Sequence, residues 1–328
     1  MVVVFTIVIV ALVFDYINGF HDAANSIATI VSTRVLSPRS AVAWAAFFNF
    51  IAFVIFPLHV ANTIGKEIVD PHVVDNTVIV AALIGAIGWN LITWWYGIPS
   101  SSSHALMGGL IGAGMSKGGT GVLGWAKISQ TAAFIILSPI IGMLVGGALL
   151  VLVAWVLRRA TPGRVDRWFR RLQFLSAALF SLGHGGNDAQ KTMGIIAVLL
   201  YSNGLSGATF HVPFWVVLVC QLAMGLGTLS GGWRIVRTMG MSLTKLKPFQ
   251  GFCAETGGAS MLFLATALGV PVSTTHTITG AILGVGSVRN ASTVRWGLAG
   301  NIVWAWIFTI PAAAFVAGAF YWLSLSLF

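Results

Sequence analysis

The chain has 328 residues, of which 57% are hydrophobic and only 8% charged, with a formal net charge of +10. Soluble domains carry roughly 25% charged residues, so a soluble fold is excluded, as is disorder, which needs a polar chain. Two cysteines, Cys220 and Cys253, both in apolar runs, exclude a disulfide scaffold and read as small buried hydrophobes.

In chain order, Val2–Ile17 is the first apolar run. It lacks the basic start and small-residue cleavage site of a signal peptide. It leads directly into a polar stretch ending at His21-Asp22, so it reads as the first half of an interrupted helix that resumes near Ala23. Further segments are Ala41–Pro57, Val78–Tyr96, Pro99–Met115, Ile128–Leu157, Phe174–Tyr201 (again interrupted), Phe214–Trp233, Phe249–Leu268, Pro271–Gly286 and Gly297–Leu325. About 20 apolar residues span a bilayer as a helix, and the alternation of barrel strands is absent. The segments predict an all-α polytopic membrane protein.

The connections assign sides. Six arginines (Arg158, Arg159, Arg164, Arg167, Arg170 and Arg171) face one acid, Asp166, in one stretch, which the positive-inside rule makes cytoplasmic. This placement of the basic residues points to a lipid bilayer rather than to nucleic acid. Counting outward from that stretch puts both termini on the external side of the cell (cytoplasmic) membrane. Lys117 and Lys127 are exceptions, since they fall outside together with Glu67, Asp70 and Asp75. The expected organisation is an N-terminal transmembrane repeat (1–157), a basic cytoplasmic loop (158–172) and a C-terminal transmembrane repeat (173–328).

Two blocks recur. FDYINGFHDAANS from Phe14 matches FSLGHGGNDAQKT from Phe180, sharing Phe14/Phe180, Gly19/Gly185, Asp22/Asp188 and Ala23/Ala189. GIPSSSSHALMGGLIGAG from Gly97 matches GVPVSTTHTITGAILGVG from Gly269, sharing among others Pro99/Pro271, Ser101/Ser273 and His104/His276. The loop after the first block is basic in one half and uncharged in the other, and the next loop is acidic, then basic. The halves therefore have opposite orientations, an inverted-topology repeat, in which interrupted helices and helix-hairpin elements meet at the midplane around a substrate.

An intramembrane carboxylate costs at least about 2.5 kcal/mol and needs a partner or a wet cavity. Asp15, Asp22, Asp188 and Glu255 lie in apolar segments, and the duplication of Asp22 and Asp188 favours a functional pair. Pro99 and Pro271 each precede three or four hydroxyl residues: Ser101, Ser102 and Ser103 in one copy, Ser273, Thr274 and Thr275 in the other. Proline suits the first turn of a helix, and the free N–H groups with the positive dipole end attract anions. Two such termini could enclose a tetrahedral oxyanion; alternatively the hydroxyls only cap the helices. His104 and His276 could be ligands, proton carriers or buried imidazoles. The Gly108/Gly112 and Gly280/Gly284 spacings read as close helix packing. No spacing of Cys, His and acid suggests a structural metal site, no cofactor is implied, and no GxxxxGK[ST] phosphate loop occurs.

On these residues the chain resembles the inorganic phosphate transporter (PiT) family of low-affinity phosphate permeases. The family's Gly-x-Asn-Asp-x-x-Asn block is represented by Gly19–Asn25 and Gly185–Lys191, and its Pro-x-Ser-(Ser/Thr)-(Ser/Thr)-His block is present in both halves. The resemblance covers essentially the whole chain. It implies substrate-binding roles for Ser101, Ser102, Ser103, Ser273, Thr274, Thr275, Asn187 and Lys191, and coupling-ion roles for Asp22, Asn25, Asp188, Glu255 and His21. His21 and Lys191 replace family asparagines, which resembles bacterial members coupled to protons or carrying metal-phosphate. The expected function is symport of inorganic phosphate with protons or as a metal-phosphate complex. The alternatives are a sodium-coupled phosphate symporter, a sulfate permease, or, remotely, an intramembrane hydrolase using Ser101 and His104. A transporter rather than an enzyme is expected, and the sequence is compatible with a homodimer without fixing assembly.

Overall fold

Helix ends follow the punctuation of the sequence. Pro38, Pro162 and Pro248 open helices in their first turn, where the missing N–H is no loss. Gly97 ends another helix at φ +66, and Gly269 takes the equivalent place in the second half at φ +67, a left-handed conformation that only glycine adopts freely. The computed structural model describes residues 1–207 and 209–327. The helices are α1 (Val2–Ser32), α2 (Pro38–Ile51), α3 (His59–Lys66), α4 (Asn76–Tyr96), α5 (Ser102–Gly118), α6 (Trp125–Val156), α7 (Pro162–Ser202), α8 (Phe214–Ser230), α9 (Trp233–Val236) with a π-helical turn (Arg237–Ser242), α10 (Pro248–Ala267), α11 (Thr274–Asn290) and α12 (Trp296–Leu327). Among the described residues the sole strand-like feature is an isolated bridge between Val69 and Leu123.

The order α1–α6 repeats as α7–α12. Interrupted helices exist, but not where the sequence suggests. α1 and α7 run unbroken through both polar motifs, because those side chains bond sideways to other helices and leave the backbone ladder intact. The breaks fall instead at α2–α3, bent by 81°, and at α8–α9, bent by 61°. Further breaks separate α4 from α5 and α10 from α11. The stretch 158–172 is also not all loop, since α7 already starts at Pro162.

The two halves interlock. α5 packs on α12, and α11 packs on α6. A Cβ on Gly112 would lie 2.1 Å from the Ala314 carbonyl oxygen, and one on Gly284 would lie 2.1 Å from that of Met143. The glycine pairs thus serve close packing, as their spacing predicts. Pro139 in α6 and Pro311 in α12 hold equivalent positions in these outer helices.

α1, α4, α6 and α12 are each long and apolar enough to cross a membrane, and each bent pair is so taken together. α7 is not, yet it is buried almost continuously from Ser176 to Leu200. Protein surrounds its polar residues where lipid would not tolerate them. The two exceptional lysines are paired: Lys117 Nζ lies 2.5 Å from Asp75 and Lys127 Nζ 2.9 Å from Glu67.

Candidate functional site

α5 and α11 begin side by side. Thr275 Oγ1 donates to the Ser100 carbonyl at 3.1 Å, and the His104 and His276 rings meet edge-on with centroids 4.7 Å apart. Ser101 Oγ accepts from the His104 N–H, and Ser273 Oγ from the His276 N–H, both at 3.2 Å. These two hydroxyls are therefore helix caps, and each keeps its own O–H for donation. Capping and anion binding are compatible roles. Ser102 Oγ is buried without a protein partner.

α1 and α7 run antiparallel past these termini. Ser26 lies 3.3 Å from His184 Nδ1, and this register sets Asp22 beside Asp188. Asp22, His184 and Asp188 are all buried, and each offers a ligand atom within 4.8 Å of the others. His184 was not singled out by the motif. Its signal was available, because it stands four residues before Asp188 and so shares a helix face with it.

Repeat equivalents do equivalent work. Asn25 Nδ2 donates to Thr274 Oγ1 (3.2 Å) and Thr275 Oγ1 (2.9 Å) at the start of α11. Its counterpart Lys191 donates to Ser103 Oγ at the start of α5, to Asp188, and to the Val272 carbonyl at 2.9 Å. Each half thus holds the helix terminus of the other. Asp188 also accepts from Thr274 Oγ1 at 2.9 Å and lies 3.3 Å from His184 Nε2. His21 and Asn187 form a second equivalent pair. His21 bonds Asp22 (2.7 Å) and Thr93 (3.0 Å), while Asn187 donates to Thr266 at 3.0 Å. They tie α1 to α4 and α7 to α10 rather than bonding the serines and threonines at the starts of α5 and α11.

Glu255 stands apart from this group. It accepts from Thr29 Oγ1 (2.5 Å), Gln173 Nε2 (3.0 Å) and Ser176 Oγ. Thr29 is one helical turn beyond Asn25 along α1. Thr29, Gln173 and Ser176 carry no motif, and only the packing of α1, α7 and α10 brings them to Glu255.

The centre combines helix N-termini, hydroxyls and one ammonium, suited to an oxyanion, with two carboxylates suited to a cation. It is not built for hydrolysis. The dyad of Ser101 with His104 is not formed: Ser101 Oγ accepts from the His104 backbone N–H, and His104 Nδ1 is buried without a hydrogen-bond partner. The Phosphate transporter family model matches residues 18–317. A probable low-affinity inorganic phosphate transporter of Rhizobium meliloti (strain 1021) is 64% identical over 315 residues, covering 96% of this chain and 94% of the relative. One of Bacillus subtilis (strain 168) is 45% identical, covering 97% and 96%. A solved structure described as the sodium-dependent phosphate transporter superposes with a TM-score of 0.91 at 26% identity, covering 100% of both chains. With matches of this extent on both repeats, the chain belongs to the phosphate transporter family.

Proposed function

We infer that this chain is a symporter that carries inorganic phosphate across the cell membrane, driven by protons or by co-binding of a metal ion as metal-phosphate, with the basic α6–α7 connection inside and both termini outside. The observation that carries the coupling reading is the ammonium of Lys191 on Asp188. A carboxylate already paired with a lysine is not free for sodium, and an ammonium within about 5 Å repels a second cation strongly at low dielectric. The same charge attracts phosphate. Two carboxylates against one ammonium still leave room for one positive charge, supplied by a proton or by a metal ion that enters as its phosphate complex, whose anion offsets the ammonium and to which His184 beside Asp22 and Asp188 offers a nitrogen ligand. Hydrogenphosphate can donate to an acceptor carboxylate, whereas sulfate wants donors only, so Asp22 favours phosphate.

The sodium reading has its own support in the oxygens of Asp22 and Asn25 and in the similarity to a sodium-dependent transporter. Phosphate uptake into proteoliposomes, with proton, sodium and divalent-metal gradients imposed separately, separates the two. Uptake is expected to follow the proton gradient or added divalent metal and to ignore sodium. Uptake that needs sodium at a fixed proton gradient, with lithium or choline failing to replace it, decides for sodium. Under the same conditions Ser102→Ala should raise the phosphate concentration for half-maximal uptake roughly 10- to 100-fold, the loss of a hydrogen bond to a charged ligand worth about 1.5–3 kcal/mol. An unchanged value would leave Ser102 without a role in binding.

A further inference from the structure

Asp15 belongs to none of the groups described so far. It is fully buried, and neither carboxyl oxygen has a hydrogen-bond partner. Its polar neighbours are Asn18 on the same helix, Thr192 on α7 and the Cys220 thiol on α8. Asn18 Oδ1 and Thr192 Oγ1 are themselves buried and unpartnered. A carboxyl, an amide and a hydroxyl are therefore neighbours with no hydrogen bond closed among these oxygens, and burial of such groups without pairing is costly.

Position gives this cluster a meaning. Asp15 precedes Asp22 by seven residues, and Thr29, which holds Glu255, follows Asp22 by seven. Seven residues are about two turns and roughly 10 Å of helix, returning to the same face. Carboxyl groups thus stand at three levels along one face of α1: Asp15, the Asp22–Asp188 centre, and Glu255. On the Asp15 side, α7 continues from Thr192 to Tyr201, which with Ser202, Asn203, Pro71, His72 and residues 74–77 lines a cavity of about 710 Å³. Asp15 therefore lies between that vestibule and the centre.

We propose that Asp15 is a proton-carrying site of the transport cycle, taking a proton from water of the vestibule and holding it as an O–H that can bond Asn18 or Thr192 while phosphate and its cation occupy the centre. A proton suits the cluster better than a metal. The carboxyl has one amide and one hydroxyl beside it, fewer hard oxygens than a cation needs, and a thiol on the remaining side. The charged and titratable groups around it are few: Asp188 and Lys191 from α7, Cys220 from α8, none from α4 before Tyr96, and Tyr16, His21 and Asp22 on α1 itself. Tyr16 is bonded to Ser230 and His21 to Asp22, which leaves Asp15 the member of α1 free to exchange a proton on this side.

The proposal rests on the proton arm of the coupling reading above, and the test keeps the two apart. Full-length protein in liposomes, loaded with a pH dye, is given radiolabelled phosphate, and proton entry, net accumulation and phosphate–phosphate exchange are followed together. Proton entry coupled to phosphate in the wild type is expected; its absence overturns the coupling reading and this proposal with it. Given that signal, Asp15→Asn should lose proton entry and accumulation while exchange persists, and Asp15→Glu should recover both. Asparagine is the closer match in shape, so a merely structural role would be served better by Asn than by Glu. Asp15→Asn with proton entry equal to wild type overturns the proposal alone. If Asp15→Asn does not fold, infrared spectra of wild type and Asp15→Glu decide. A carboxylic C=O band that responds to phosphate and shifts on substitution is expected, and no such band overturns the assignment.

Discussion

Asp188→Asn should abolish phosphate accumulation and also lower stability by about 3–5 kcal/mol, the cost of removing one partner of a buried ion pair. Asp188 binds the ammonium of Lys191, accepts from Thr274, and lies beside His184. The substitution leaves Lys191 charged, buried and facing a neutral amide. Thermal unfolding in detergent should show the loss directly. The double variant Asp188→Asn/Lys191→Met should regain most of that stability, because no orphaned charge remains, yet it should still not accumulate phosphate. Stability unaffected by Asp188→Asn would mean that the lysine finds another counter-charge. Full uptake by the single variant would remove Asp188 from the transport site.

Asp22→Asn should also abolish accumulation, but at a stability cost below about 1.5 kcal/mol, the scale of one hydrogen bond. Asp22 is bonded to His21 and has no lysine partner, so neutralising it strands no permanent charge, and asparagine keeps an acceptor oxygen. The repeat-related acids thus differ in kind. Asp188 is already compensated by a built-in cation, and in the proposed function Asp22 is the carboxylate left for a mobile one. Uptake and unfolding measured side by side on both variants check this asymmetry. A large stability loss at Asp22, or driven accumulation by the variant, would count against it. The exchange of asparagine for lysine at 191 accounts for the difference between two otherwise equivalent motifs.

The sequence by itself determined the membrane class, the helical content, the duplication and most residues of the centre. Each rests on local or periodic information: apolar runs long enough to span a bilayer, prolines and glycines at helix ends, and two polar blocks recurring in order. Asp22, Asn25, Asp188, Lys191 and the two hydroxyl runs could be selected because polar groups at membrane depth are costly and therefore conspicuous. The same reasoning placed breaks in α1 and α7 where none occur. A polar motif inside an apolar run looks like an interruption until lateral partners such as Thr274 for Asp188 are known. Only the tertiary structure decided which groups meet. It brought His184 to the two aspartates, set Glu255 apart with Thr29, Gln173 and Ser176, and left Asp15 without a partner. These contacts join helices far apart in the chain and follow from the antiparallel crossing of α1 and α7 between interlocked halves. No spacing within the sequence encodes that register; Gly19 on the Met224 backbone and Gly185 on the Asn49 backbone show how closely α1 and α7 are held by their neighbours.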